Sequence, residues 1–163
     1  MDVVLLLIGL AGGLAAWSLV EYLAHRFSMH RPVVRFDPIA REHRRHHRDP
    51  LATDLRLRLI GHGAGYALGA VIGLALAFVM AAPVAYGVGF GLAAGYSTYE
   101  LVHWCSHHRP ARTRYGVALR RRHDAHHHGH PGANYGVSTA VWDRVFGTVA
   151  PIGSIRDRRP ARP

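Results

Sequence analysis

Histidine is the residue whose number and spacing in this sequence point most directly to chemistry. The chain of 163 residues contains 14 histidines, and ten of them fall into four clusters. The clusters are His25 and His30; His43, His46 and His47; His103 and His107; and His123, His126 and His127. Residues three or four apart share one face of a helix, so most clusters can present two imidazoles together. Each such pair is a potential metal chelate.

The number of clustered imidazoles predicts more than one metal ion. Neutral imidazole binds Fe, Zn, Cu and Ni, and more than four converging histidines exceed what one tetrahedral structural ion uses. Ten imidazoles shared by two ions give each about five nitrogen ligands, which leaves room for a bridging oxygen species. The single cysteine, Cys105, rules out an intramolecular disulfide and a zinc site made of cysteines. This donor set favours redox chemistry over a structural role.

Two carboxylates accompany the histidines, and four histidines remain outside the clusters. Glu21 precedes His25 by four residues, and Glu100 precedes His103 by three. A carboxylate at membrane depth is costly and usually functional, so we expect both to accept the second ring proton of a histidine and fix its tautomer. The alternative is that both side chains only reach the membrane interface. The remaining histidines, His62, His108, His128 and His130, are not expected to be ligands.

The segments that must position these residues are strongly apolar. Val3 to Val20 carries no charge, and with its continuation to about Ala24 it is long enough to cross a bilayer. Leu59 to Tyr99 is also uncharged and is too long for one crossing, so Pro83 is expected to divide it into Leu59–Ala82 and Val84–His103. The sequence therefore predicts three transmembrane helices, with glycines that allow close helix packing.

The charge distribution predicts the orientation of these helices. The chain has 20 Lys+Arg against 10 Asp+Glu, a net charge of +10, and every basic residue is arginine. The arginines lie only in the two hydrophilic segments that flank the apolar ones, which the positive-inside bias places in the cytoplasm. This explains the basic charge without a nucleic-acid partner. Abundant Ala, Gly and Arg without Lys is typical of a GC-rich bacterial genome, so we expect a bacterial inner membrane.

The predicted fold class is therefore all-α: an integral-membrane helical bundle of about three spans with a cytoplasmic, histidine-rich helical cap. A membrane domain over residues 1–150 is expected to be followed by a basic, flexible tail over 151–163.

The four clusters also resemble the histidine boxes of a known superfamily. EYLAHRFSMHR, HRRHH, GYSTYELVHWCSHH and RRRHDAHH are similar, in this order, to the boxes of the fatty acid hydroxylase and sterol desaturase superfamily, whose members are integral-membrane di-metal enzymes. NYGVSTAVWDRVFGT, over 134–148, is similar to the segment that follows the last box. The resemblance covers Glu21 to Thr148.

This resemblance implies an activity, cofactors and partners. It implies two iron ions, replaceable by zinc in isolated protein, that use O2 as co-substrate to hydroxylate, or less readily to desaturate, an unactivated C–H bond of an acyl chain or sterol-like lipid. The ten clustered histidines would be the ligands, with Trp142, Asp143 and Phe146 in packing or orienting roles. No electron-carrier domain is recognised, so a separate ferredoxin-like or b-type cytochrome-like protein would supply electrons.

Two alternatives remain open from the sequence. The short chain also resembles bacterial carotenoid ring hydroxylases of the same superfamily, although the segment after the last box is closer to the fatty acid and sterol branch. A non-enzymatic membrane metal-binding protein is the alternative from another class. Ligands clustered at one membrane face disfavour a transporter, whose sites lie near the bilayer midplane.

Overall fold

The described part of the chain is helical and contains no strand. The structure, a computed structural model, describes residues 2–31, 37–51 and 54–152. Six α-helices follow in order: α1 (Asp2–Leu23), α2 (Pro38–Arg48), α3 (Leu55–Leu76), α4 (Ala82–His108), α5 (Arg114–His128) and α6 (Val141–Val145). A π-helix, Ala24–His30, continues α1 without a break. Of the predicted tail, residues 153–163 lie outside the described residues, so its flexibility stays a prediction.

Glycines allow the long helices to pack at backbone contact. A Cβ atom on Gly13 would lie 2.3 Å from the carbonyl oxygen of Val88 and 2.8 Å from the Cα of Gly91. Gly9 and Gly87 make the same kind of approach one turn away. Since no side chain fits between the two backbones, α4 packs directly against α1, as predicted for a small-residue interface. α3 packs on the opposite side of α4 through Gly69 and Gly73.

Two of the described helices are long and apolar enough to cross a membrane. They are Asp2–His30 and Leu55–Leu76, with mean hydropathy of 2.4 and 1.6. Only 11% of each apolar window is buried, whereas the core helix of a soluble protein is mostly buried. The predicted third span lies in α4, which is not among these candidates, so three crossings stay a prediction.

The turn between α3 and α4 lies earlier than predicted. α3 ends at Leu76 and α4 begins at Ala82, so Pro83 falls in the first turn of α4 and not in the turn itself. Proline suits this position because backbone N–H groups in the first turn of a helix have no partner within the helix, so the N–H that proline lacks is not needed.

The remaining elements form a cap at the ends of the long helices where the histidines lie. Trp142 Nε1 donates a hydrogen bond to Ser18 Oγ at 2.9 Å, and the Tyr22 ring stacks on Phe146 with 5.2 Å between centroids. Tyr96, Tyr99 and Val137 form a buried apolar cluster between α4 and the segment before α6. The cap is therefore packed onto both α1 and α4.

Candidate metal centre

All ten clustered histidines come together in the structure, in two groups of five. The first histidine group is His25, His30, His43, His47 and His126; the second histidine group is His46, His103, His107, His123 and His127. Within each group every residue offers one ring nitrogen within 4.8 Å of the others. The two groups adjoin, since the rings of His47 and His127 stack with 4.1 Å between centroids and 9° between planes. His62, His108, His128 and His130 belong to neither group.

The π-helix explains how two histidines five residues apart reach the same group. On an α-helix, positions five apart point about 140° away from each other, so His25 and His30 would diverge. In a π-helix the hydrogen bond joins residues five apart, which brings positions i and i+5 to one side. The two imidazole centroids lie 5.0 Å apart. The wide turn is therefore what lets one helix supply two ligands to the first group.

Regular α-helical spacing divides the other clusters between the groups. On α2, His43 and His47 are one turn apart and join the first group, whereas the intervening His46 joins the second. On α5, two histidines one turn apart join the second group and His126 joins the first. α4 gives both of its histidines to the second group. Since α2 and α5 serve both groups, they fix the two sites relative to each other.

More ring nitrogens converge on Nε2 of His43 than hydrogen bonding can account for. Nε2 of His43 lies 3.1 Å from Nε2 of His25, 2.8 Å from that of His30 and 3.0 Å from that of His47. A neutral imidazole Nε2 carries either one hydrogen or one lone pair, so it can form one such hydrogen bond and not three. Two ligands about 2.1 Å from one ion and about 90° apart are about 3 Å from each other.

The second histidine group has the same spacing. Nε2 of His46 and Nε2 of His103 are 2.9 Å apart, and the Nε2 atoms of His107 and His123 are 2.8 Å apart. Both ring nitrogens of His127 are buried without a hydrogen-bond partner. Buried polar atoms are normally satisfied, so the nitrogen of His127 that carries the lone pair fits a bound cation. The residues of both groups therefore fit a pair of metal ions with imidazole ligands.

Backbone carbonyls fix the tautomers of two ligands in the first group. Nδ1 of His25 lies 2.5 Å from the carbonyl oxygen of Tyr135, and Nδ1 of His126 lies 2.7 Å from that of Ala133. A carbonyl only accepts, so both Nδ1 atoms donate and both Nε2 atoms keep a lone pair. Nε2 of His126 is buried and has no hydrogen-bond partner, as expected of a metal ligand.

Asp143 holds the segment that supplies these carbonyls. Its fully buried carboxylate accepts hydrogen bonds from the backbone N–H groups of Tyr135 and Gly136 at 2.8 and 2.9 Å, and from the Thr148 hydroxyl at 2.8 Å. It also pairs with the buried guanidinium of Arg122 at 3.1 Å. Asp143 thereby connects two parts of the site. One is the segment whose carbonyls orient the first histidine group, and the other is α5, which carries histidines of both groups.

The two carboxylates predicted to orient histidines have other partners. Glu21 is buried and accepts hydrogen bonds from the N–H groups of Val137 and Ser138 at 2.7 and 2.9 Å, and from the Ser138 hydroxyl. Glu100 lies 4.0 Å from Arg58 across α3 and α4. Neither carboxylate forms a hydrogen bond to a histidine in the described contacts. The carbonyls of Ala133 and Tyr135 accept from histidine Nδ1 atoms, and an orienting role for Glu21 and Glu100 stays a prediction.

Burial keeps the clustered imidazoles in the neutral form that binds metals. Burial, reinforced by neighbouring imidazoles, lowers the pKa of His46 to about 3 and that of His47 to about 4. The same causes lower the pKa values of His43 and His127. These groups are therefore unprotonated near pH 7 and do not need to lose a proton before a metal binds.

A cavity of about 540 Å³ opens beside the histidines, between α2, α3 and α4. One wall carries the imidazoles of His43, His46, His103 and His107. The remaining lining is largely apolar, with Ile39, Leu57, Ile60, Ala64, Tyr96, Tyr99 and Trp104. A volume of this size suits a small organic ligand or part of a long chain. Such a ligand would lie against members of both histidine groups.

The chain matches a known family over most of its length. A family model described as "Fatty acid hydroxylase" matches residues 10–148. The "Ceramide very long chain fatty acid hydroxylase scs7" of Schizosaccharomyces pombe is 32% identical over 147 residues, which cover 86% of this chain and 42% of that protein. The "Fatty acid 2-hydroxylase" of Homo sapiens is 32% identical over 146 residues, covering 85% of this chain and 38% of the relative.

A plant relative and one solved structure agree with these matches. The "Dihydroceramide fatty acyl 2-hydroxylase FAH2" of Arabidopsis thaliana is 30% identical over 145 residues, which cover 87% of this chain and 60% of the relative. A solved structure described as "Full length scs7p (only hydroxylase domain visible)" has a TM-score of 0.64 and 24% identity, over 91% of this chain and 58% of that one. This structural likeness supports the fold. The chain spans about two to three fifths of the length of these curated relatives.

Proposed function

The chain belongs to the fatty acid hydroxylase family, and from this premise we propose that it is a membrane-bound, di-iron hydroxylase of a lipid acyl chain. The observation that carries the proposal is the position of the apolar cavity. Its wall is formed by imidazoles of both histidine groups, so a bound hydrocarbon would lie directly against the metals. A metal store or a structural site has no use for such a cavity, which disfavours the non-enzymatic alternative.

The proposed cofactor is a pair of iron ions, with O2 as co-substrate. Each group offers five imidazoles, one more than the four ligands of a structural zinc site, and imidazole is a good ligand for iron. When bound, the two irons would reduce O2 and supply the oxidant for an unactivated C–H bond. The protein contributes the ligand geometry, the orientation of the substrate and the exclusion of water.

The chain's own residues account for those contributions. The carbonyls of Ala133 and Tyr135 hold Nδ1–H of His126 and His25, so that Nε2 of both rings stays available as a ligand. The apolar lining keeps water away from the reacting carbon and aligns the acyl chain of the substrate against the imidazole wall. Because much of the lining comes from α3 and α4, we propose that the substrate enters laterally from the bilayer.

An acyl chain is the favoured substrate among the alternatives that the sequence left open. The printed names of the relatives specify fatty acids, ceramide or dihydroceramide, and two of those names place the hydroxyl group on carbon 2. We therefore propose hydroxylation of an acyl chain beside its carbonyl group. Desaturation and oxidation of a carotenoid ring are the outcomes that a product analysis would distinguish.

The proposed location is the inner membrane of a bacterium, with the metal centre on the cytoplasmic side. The two helices apolar enough to span a bilayer support a membrane location. The arginines that flank the apolar segments support the cytoplasmic side. Electrons would come from a separate carrier protein.

The test is incorporation of oxygen from O2 into lipid. Cells that express the chain are grown under ¹⁸O2, and their lipids are compared by mass spectrometry with those of cells carrying His103→Ala or His62→Ala. The proposal expects one ¹⁸O atom in an acyl chain with the wild type and with His62→Ala, and none with His103→Ala. Loss of two hydrogens without label would indicate desaturation. Two irons per chain with no change in lipid would refute the enzyme.

A further inference from the structure

The histidine groups are reached from a second side that the proposed function does not use. A separate cavity of about 340 Å³ is lined by His30, Arg44, His47, Arg48, His127 and Pro131. The apolar cavity is lined by five other histidines: His43, His46, His103 and His107 from the two groups, and His108. The ten imidazoles therefore have two approaches that share no histidine, one apolar and one basic.

The second opening gives access to both histidine groups at once. His30 and His47 belong to the first group and His127 to the second. The rings of His47 and His127 stack within this opening, with 4.1 Å between centroids. A molecule seated here contacts a ligand of each group, and each of these ligands would be bonded to its metal.

The charge of this opening differs from that of the apolar cavity. Its lining contains two arginines and no carboxylate among the described residues, whereas the apolar cavity is lined by three carboxylates, Glu42, Asp54 and Glu100, and by one arginine, Arg58. Arg44 and Arg48 are exposed, one turn apart on α2, and His128 and His130 are exposed close by in sequence to His127. The surface around the opening is thus suited to a negatively charged partner.

We propose that this basic face is the docking site for an acidic one-electron carrier protein, and that electrons enter at the edges of His47 and His127. The inference rests on the proposed function, which consumes two electrons and two protons for each O2. One oxygen atom enters the substrate C–H bond to give C–OH, and the other leaves as water. Two reduced carriers each give up one electron, and the protons come from solvent.

A protein carrier fits this face better than a lipid does. Among the described residues Pro131 is the only apolar one in the lining, so this part of the opening offers an acyl tail little to pack against. Separate sides for substrate and electrons also let a carrier dock while the apolar cavity is occupied. An anionic lipid headgroup on the arginines is the competing occupant, and the experiment includes an arm for it.

The experiment reverses the charge of the face and measures electron delivery. The double variant Arg44→Glu/Arg48→Glu is purified with its metals and supplied with a plant-type [2Fe–2S] ferredoxin, its reductase and NADPH as the probe. The control is Arg112→Glu/Arg114→Glu, which makes the same charge change on exposed residues at the opposite end of α5 from His127. Product formed per minute is measured against ferredoxin concentration and salt, and again with dithionite as reductant.

The inference expects a selective loss of coupling to the ferredoxin. The KM for ferredoxin rises about tenfold or more in Arg44→Glu/Arg48→Glu and depends less on salt, because charges at the edge of an interface act mainly on association. Its dithionite-driven turnover and iron content match those of the control variant, whose KM for ferredoxin is unchanged.

Other outcomes separate this inference from the proposed function. An equal KM for ferredoxin in the two double variants overturns the docking site. The docking site is also overturned if Arg44→Glu/Arg48→Glu loses dithionite-driven turnover in nanodiscs that contain anionic lipid but not in zwitterionic ones. That result would identify the face as a site for a lipid headgroup. No product from the wild type with either reductant refutes the proposed function itself.

Discussion

Replacing Asp143 tests whether a buried carboxylate that belongs to neither histidine group controls metal binding. Asp143 is fully buried, accepts two backbone N–H groups and a hydroxyl, and pairs with the buried Arg122. In Asp143→Asn the side-chain amide replaces one carboxylate oxygen and points N–H at groups that are themselves donors. The charge that balances Arg122 is also lost.

The expected cost follows from these contacts. Breaking a buried ion pair on one side costs about 3–5 kcal/mol, which is a large part of the roughly 5–15 kcal/mol of a typical domain. Because the lost hydrogen bonds hold 135 and 136, the carbonyls that orient His25 and His126 move with them. We therefore expect Asp143→Asn to fall from two irons per chain towards one, with the loss in the first histidine group.

A second variant separates positioning from stability. In Asp143→Asn/Arg122→Met no buried cation is left without a partner, so part of the stability returns. Iron binding does not return, since the segment is still released. The control Asp124→Asn removes a partly exposed pair with Arg120 at 3.7 Å, which is worth about 0–1 kcal/mol, and should keep both irons.

The assay combines metal analysis, circular dichroism and thermal unfolding of the detergent-purified proteins. The reasoning predicts that Asp143→Asn keeps its helical content and loses about one iron, and that the double variant melts higher than Asp143→Asn with no gain of iron. Asp143→Asn that retains two irons and full turnover would refute the link between this carboxylate and the ligands. So would iron recovery in the double variant.

Three further predictions concern the ligands, the helix packing and acid. His126→Ala should lose about one iron per chain while His128→Ala, on the same helix but in neither group, keeps both; equal iron content in the two variants would remove His126 from the ligand set. Gly13→Ala should lower the melting temperature sharply because its Cβ would lie 2.3 Å from a backbone oxygen, whereas Gly12→Ala, with nothing within 4 Å, should not; similar melting of both would contradict the close packing of α1 and α4. Metal-free protein should lose stability as pH falls from about 6.5 to about 4, because unfolded imidazoles take up protons near 6.5 and folded ones, at pKa values of about 3 and 4 in two cases, do not. A melting temperature that does not change over this pH range would show that the imidazoles are not held neutral by the fold.

The sequence identified which histidines come together, and it could do so because their chemistry and spacing are local properties. His103 and His107 are one helical turn apart and do lie in one group. The division of α2 between two groups was not predicted. His46 and His47 are neighbours in sequence but point about 100° apart on a helix, so each faces a different group. The positions of α4 and α5 decide which histidine of α2 joins which group. The spacing of residues within α2 gives no information about those positions.

The support of the first histidine group was the part that sequence patterns missed. The orienting acceptors for His25 and His126 are backbone carbonyls, and a backbone group has no sequence signature. Glu21 was noticed because it is close to His25 in sequence, yet its partners lie 116 and 117 positions away. The sequence did contain one local signal for this segment, because asparagine followed closely by glycine, as at 134–136, is typical of tight turns. In the structure Asn134 has a positive φ of 55°.

The apolar segments predicted long helices, and the structure contains them with shifted ends. Pro83 was expected in the turn but lies in the first turn of α4. Both positions are compatible with proline, so the residue alone does not decide between them. The π-helix was also missed, because seven residues with wider turns leave no periodic pattern distinct from that of the adjoining α-helix.

The most direct test of the account is the number and coordination of the metals. Iron content of the purified, reconstituted chain is measured together with its X-ray absorption spectrum. The account predicts two irons per chain, each with about five nitrogen ligands near 2.1 Å and the imidazole scattering pattern. One iron or fewer at saturating iron, or a first shell dominated by oxygen, would contradict the claim that the two histidine groups hold a metal pair.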